Sequence, residues 1–194
     1  MENIKTLLAK LNENNTTLKS LYGNDPDVLK DQTLRYAAVL EKFRETYHAD
    51  NADIFSSPGR SEIGGNHTDH NHGRVLAGAV NLDNIAVAAK NNTGVIRILS
   101  VGYPPFEVDL SNLSPDKNEF YTSASLVRGI CSRMKELGFS IGGFDAVIDG
   151  RVPKGSGLSS SASFEVLIGA ILSHLFNDGK LDPVQNAIIG QWSE

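Results

Sequence analysis

Cysteine is almost missing from this chain. Cys131 stands alone, so no internal disulfide can staple the fold, and such cysteine usage favours a reducing cytoplasm. Basic excess is missing too: 18 Lys and Arg against 23 Asp and Glu give a formal charge of −5, which argues against the basic face that non-specific nucleic-acid binding needs. Residues 1–15 carry Glu2, Lys5 and Lys10 and no continuous apolar run, so they read neither as a signal peptide nor as a membrane span. No internal repeat or low-complexity tract is visible, which leaves an ordinary globular chain. Its 194 residues, 40% hydrophobic and 21% charged, are enough to enclose a core unaided.

Ile4, Leu7, Leu8 and Leu11 recur at helical spacing and predict a short amphipathic helix ending near Asn14 and Asn15. Asp25 as cap and Pro26 at the first position begin a second helix, with Leu29, Tyr36, Val39, Leu40, Phe43 and Tyr47 on one face. The stretch 48–58 is polar and turn-rich and reads as a join, which divides the chain into a helical leader (1–54) and a main domain (55–194). Runs at 84–89 and 95–99, separated by Asn91-Asn92-Thr93-Gly94, predict a hairpin. Residues 103–110 supply a further strand, its start kept out of a sheet interior by Pro104-Pro105. A helix follows over 120–137, with Leu126, Val127, Ile130, Met134 and Leu137 as core stripe and Gly138 as its stop. Then come a strand at 144–148, a nearly all-round apolar helix at 163–176 that should be central and buried, and a last helix opened by Asp182-Pro183. This order predicts an α+β fold with helices packed on a sheet in two layers.

The stretch 153–162, Pro-Lys-Gly-Ser-Gly-Leu-Ser-Ser-Ser-Ala, lies between that strand and the buried helix. Gly155 and Gly157 let the backbone bend and come close to a ligand, while Ser159, Ser160 and Ser161 open a helix whose first N–H groups lack internal partners. Those donors and the positive end of the helix dipole suit a phosphate. A hydroxyl there can also ligate Mg²⁺ accompanying a nucleotide. The competing reading is a glycine loop that lets serine cap a buried helix. The stretch is neither a Walker A loop nor a Rossmann fingerprint.

A second polar cluster spans 59–73. Arg60, Asn66, His67 and Asp69 fall among glycines, offering the mixture of donors and acceptors that vicinal hydroxyls require. Arg60 adds a permanent charge suited to phosphoryl transfer. His67, His70 and His72 with Asp69 are alternatively zinc ligands, although their spacing matches neither His-Glu-x-x-His nor a structural Cys/His site. A third reading is a polar loop that bonds its own turns.

Taken together, the two motifs resemble those of the galactokinases, in the GHMP small-molecule kinase superfamily. Pro58-Gly59-Arg60 leading to His67-Thr68-Asp69 and Gly73-Arg74-Val75-Leu76 is similar to the galactokinase signature, and 153–163 is similar to the family's phosphate-binding motif. The resemblance implies a two-layer GHMP kinase N-terminal domain of the ribosomal protein S5 domain 2-like type, preceded by the helical leader. It implies that Arg60 assists the transition state and that Asn66, His67, Thr68 and Asp69 hold the sugar. Gly155, Ser156, Gly157, Leu158, Ser159, Ser160 and Ser161 are implied to cradle the ATP phosphates, Ser100 to contact the nucleotide, and Ser161 with Glu194 to hold Mg²⁺. The implied reaction is ATP-dependent phosphorylation of galactose at its C1 hydroxyl, with galactose and ATP as ligands and neither nucleic acid nor membrane as partner. Asn66 stands where glutamate is usual and His70 where tyrosine is usual, which leaves open a kinase for another sugar such as N-acetylgalactosamine. The family's general-base aspartate, third glycine-rich motif and C-terminal domain would come after Glu194. Residues 1–194 are therefore expected to be the N-terminal part of a longer enzyme and inactive alone, unless the protein is a non-catalytic sensor of sugar and nucleotide.

Overall fold

The apolar run near residue 146 lies in the middle of the sheet. In the computed structural model, which describes residues 1–13, 16–65 and 68–194, strand β6 (Phe144–Gly150) opens with five consecutive buried residues. Such a run suits a strand covered on both faces. The strand pairs antiparallel with β3 (Leu76–Lys90) and parallel with β4 (Val95–Ser100). With β1 (Glu2–Asn3), β2 (Asn51–Gly64) and β5 (Phe106–Asp109), the order across the sheet is β1-β2-β3-β6-β4-β5.

The hairpin expected between 84–89 and 95–99 is therefore absent, because β6 inserts between its two strands. The turn at 91–94 serves that insertion. Asn91 donates from its backbone to the Gly143 carbonyl at 3.2 Å and from its side chain to Asp145 Oδ1 at 2.7 Å. A Cβ on Gly143 would lie 2.2 Å from the Thr93 carbonyl, so the turn is folded onto the start of β6. The expected join at 48–58 is also corrected: from Asn51 it is strand, continuing to Gly64 beside β3 with register shifts at Pro58/Arg60 and Glu62/Gly64.

Successive residues of a strand face opposite ways, and β3 uses both faces. Ala86 and Ala88 meet α4 (Ser123–Glu136), α5 (Ser160–Phe176) and α6 (Pro183–Ser193) in one core. Ile85, Val87 and Ala89 join a second core with α1 (Ile4–Asn12), α2 (Thr16–Tyr22) and α3 (Pro26–Tyr47). The expected two-layer packing of sheet and helices is formed by α4–α6, and the leader helices cover the opposite face as a further layer. Helix α2 was not legible in the sequence; Asn14 and Asn15, where the first helix was expected to end, lie outside the described residues. Asp25 caps α3 as predicted, accepting from the N–H groups of Asp27 and Val28 at 2.9 and 3.3 Å.

Arg35 of α3 ties the leader to the sheet. Its buried guanidinium donates to Asp83 Oδ1 at 2.6 Å, to Asp149 Oδ2 at 2.5 Å, and to the backbone carbonyls of both. Tyr22 and Ser56 each donate to Asp83 Oδ2 at 2.5 Å, so the buried carboxylate is fully engaged. Burial, with the bond to Asp83, pushes the Tyr22 phenol well above its usual range. Among the described residues no helix is long and apolar enough to cross a membrane.

Candidate active site

The loop leaving β6 carries Gly155, Gly157 and Ser159 at φ +71°, +76° and +58°. Left-handed backbone at alternate residues is the pattern from which anion-binding nests of N–H groups are built. Glycine adopts it freely, whereas Ser159 bears a cost of about 1–2 kcal/mol. Ser159 occupies the N-cap of α5 but makes no side-chain capping bond, so the serine-cap alternative is not what the structure shows. The start of this long buried helix is consequently without a side-chain cap from Ser159, and the dipole behind it favours negative charge. Ser156 spends its hydroxyl within the loop, donating to the Pro153 carbonyl at 2.7 Å and accepting from Leu158 N–H at 3.3 Å.

The two sequence motifs meet in space. The backbone N–H of Arg60 donates to the Leu158 carbonyl at 3.0 Å, at the register shift in β2. Gly59 is buried at this junction; a Cβ there would lie 2.9 Å from the Leu158 carbonyl and 3.0 Å from Val152 Cγ1. The Arg60 side chain stands exposed beside the phosphate-type loop. Below it, buried Ser163 fixes the first turn of α5 to the sheet, donating to the Ser57 carbonyl at 2.8 Å and accepting from the Asn84 amide at 2.9 Å.

Ser161 donates to Glu194 Oε1 at 2.8 Å, which joins the start of α5 to the end of α6. One turn along α5, Glu165 is 3% exposed, and its Oε1 has no hydrogen-bond partner. Burial, and then the neighbouring Glu194, push the Glu165 carboxyl up to about 8. Glu165 escaped the sequence reading, although it is the only carboxylate in the apolar run 163–176 and falls four residues after Ser161. Mg²⁺ is commonly held by one or two carboxylates together with substrate phosphates. A hydroxyl and a carboxylate beside an anion-favouring helix start fit that chemistry. Among the described residues there is no group of three or more His, Cys, Asp and Glu that could form a protein-only metal cage.

Ser100 ends β4, and its carbonyl accepts from Tyr103 N–H at 3.0 Å. The ammonium of Lys154 lies 4.5 Å from the Tyr103 ring, a cation–π contact that brings the Ser100 turn alongside the glycine loop. The turn after Ser100, Arg60 and Glu194 thus each make a contact with the stretch 154–161. On the sugar-type motif, a short 3-10 helix (Thr68–Asn71) follows β2. Thr68 closes this loop: its hydroxyl donates to the Arg74 carbonyl at 3.3 Å, and its carbonyl accepts from Gly73 N–H at 2.7 Å. Asn66 and His67 lie outside the described residues, as do the side chains of Asp69 and His70.

Comparison with known proteins agrees with this geometry. Residues 41–90 match the galactokinase galactose-binding signature, and residues 125–194 match the GHMP kinases N terminal domain. The chain is 38% identical over 160 residues to a galactokinase of Streptococcus thermophilus and 32% identical over 157 residues to one of Clostridium tetani. Each alignment covers 80% of this chain and 40% of the relative, so the chain spans well under half the length of the curated proteins it matches. A crystal structure of Lactococcus lactis galactokinase complexed with galactose superposes with a TM-score of 0.75 at 30% identity, over 82% of this chain and 42% of that one.

Proposed function

This chain carries the N-terminal domain of the GHMP kinases together with the galactose-binding signature of the galactokinases, and on that premise we propose that the whole protein transfers the γ-phosphoryl group of ATP to the C1 hydroxyl of galactose. The product is galactose 1-phosphate. The observation that carries this reading is the Arg60 N–H to Leu158 carbonyl bond, which sets the arginine of the sugar motif against the loop of the phosphate motif. Phosphoryl transfer depends mostly on positioning and on stabilising charge. In this reading residues 66–69 orient the sugar, and the backbone of 155–159 with the start of α5 holds the phosphates. Arg60 then faces the charge that develops on the transferred group. Ser161 and Glu194 would hold Mg²⁺, which when bound would supply charge to neutralise the phosphate oxygens. Cytoplasmic residence accords with the single buried cysteine.

Galactose-dependent ADP formation by the whole protein tests the proposal. Arg60→Ala is expected to lower kcat by about 10²- to 10³-fold, as does loss of one preorganised charge-stabilising group, with little change in galactose affinity. Binding of galactose and ATP without galactose-dependent ADP formation would refute the assignment and favour a sensor. A polypeptide confined to residues 1–194 is expected to turn over almost nothing, because the resemblance places the general base beyond Glu194. The departures at Asn66 and His70 favour a second acceptor, N-acetylgalactosamine, and a side-by-side acceptor profile decides between the sugars.

A further inference from the structure

Among the described residues, Glu165 is a buried carboxyl beside this site to which the motifs give no task. Its side chain lies between α5 and α6, 3% exposed and with Oε1 unpartnered. A lone buried carboxylate with an unmade bond is expensive to keep, and nothing cationic is paired with it among the described residues. Its surroundings are built to admit it: a Cβ on Gly190, one turn before Glu194 on α6, would come 3.1 Å from both Glu165 Cβ and Oε2. Glu165 is also one helical turn from Ser161, whose hydroxyl bonds the same Glu194. Thus three side chains converge, two on the surface and the third directly behind them.

We propose that Glu165 is a positioning residue for the divalent-cation site, bracing the Glu194 carboxylate from behind so that it and the Ser161 hydroxyl face the cation together. This inference rests on the reading of Ser161 and Glu194 as the Mg²⁺-holding pair. Outer residues that orient a metal's ligands typically contribute 10- to 100-fold to affinity.

The test is a Mn²⁺ titration of the full chain in the presence of ADP, free Mn²⁺ being counted by electron spin resonance. Galactose affinity is measured on the same samples by calorimetry. Glu165→Gln is expected to weaken Mn²⁺ binding by about 10- to 100-fold while galactose affinity stays unchanged. Ser161→Ala and Glu194→Gln are the reference variants. If they weaken Mn²⁺ binding and Glu165→Gln does not, the positioning role is wrong and the metal pair stands; if none of the three changes it, the metal pair falls and the proposal with it. Should Glu165→Gln not fold by circular dichroism, Gly190→Ala takes its place, because the added methyl crowds the Glu165 carboxyl without altering a ligand. It is expected to weaken Mn²⁺ in the same selective way, and unchanged Mn²⁺ binding by folded Gly190→Ala overturns the proposal.

Discussion

Gly59 shows how much one missing side chain can decide. In the sequence it is one of several glycines in a polar stretch, and its partner Leu158 lies in another motif far along the chain. Only the fold reveals that the Leu158 carbonyl occupies the space a Cβ would need. Both atoms belong to backbone held at either end by strands or helix, so neither moves easily. Gly59→Ala is therefore expected to cost about 1–3 kcal/mol, as overpacking does, and to weaken nucleotide binding by displacing the glycine loop. Urea unfolding and ATP titration together check this; a variant with parental stability and affinity would show that the junction yields. The serines of 159–161 stood out in the sequence because the role proposed for them rests on local spacing. Glu165 was visible as a lone carboxylate, but its meaning depends on Glu194 and Gly190, which reach it only through the packing of α5 on α6.

At the scale of elements, helices with local signals were legible and strand order was not. Asp25-Pro26 and Asp182-Pro183 mark the starts of α3 and α6 through capping bonds to their own next residues. By contrast, nothing near Asn91 announces that β6, fifty residues later, will separate β3 from β4. The length of β2 was hidden for a similar reason, since its polar residues 56–64 are held as strand by pairing with β3 rather than by alternation of their own. The clearest long-range tie between elements is Arg35, whose bonds to Asp83 and Asp149 join α3 to β3 and β6. Replacing one member of a buried ion network leaves the others charged and unpaired, at about 3–5 kcal/mol. Arg35→Met preserves much of the apolar stem and is expected to destabilise by that amount. A denaturation midpoint close to the parent's would show that water reaches Asp83 and relieves it.

For the molecule as a whole, the two faces of the sheet raise the question of whether the half that carries the glycine loop depends on the leader. Helical spacing and the Asp25-Pro26 start made α1 and α3 of the leader legible, though not α2, and assigned them no load. In the structure they cover Ile85, Val87, Ala89 and Val147, on the same strands whose opposite face carries α5. Uncovering Ile85, Val87 and Val147 forfeits roughly 1.5–3 kcal/mol for each large side chain, and Asp83 loses Arg35 and Tyr22 as well. Together these losses approach the ~5–15 kcal/mol by which an entire domain is stable. An exposed apolar sheet face also recruits other copies of itself. Deleting residues 1–47 is accordingly expected to abolish the cooperative unfolding transition and to give aggregates on gel filtration, even though no residue of the proposed site is removed. A monodisperse product that still binds Mn·ADP would instead establish residues 55–194 as an autonomous domain, with the leader serving some purpose other than completing the core.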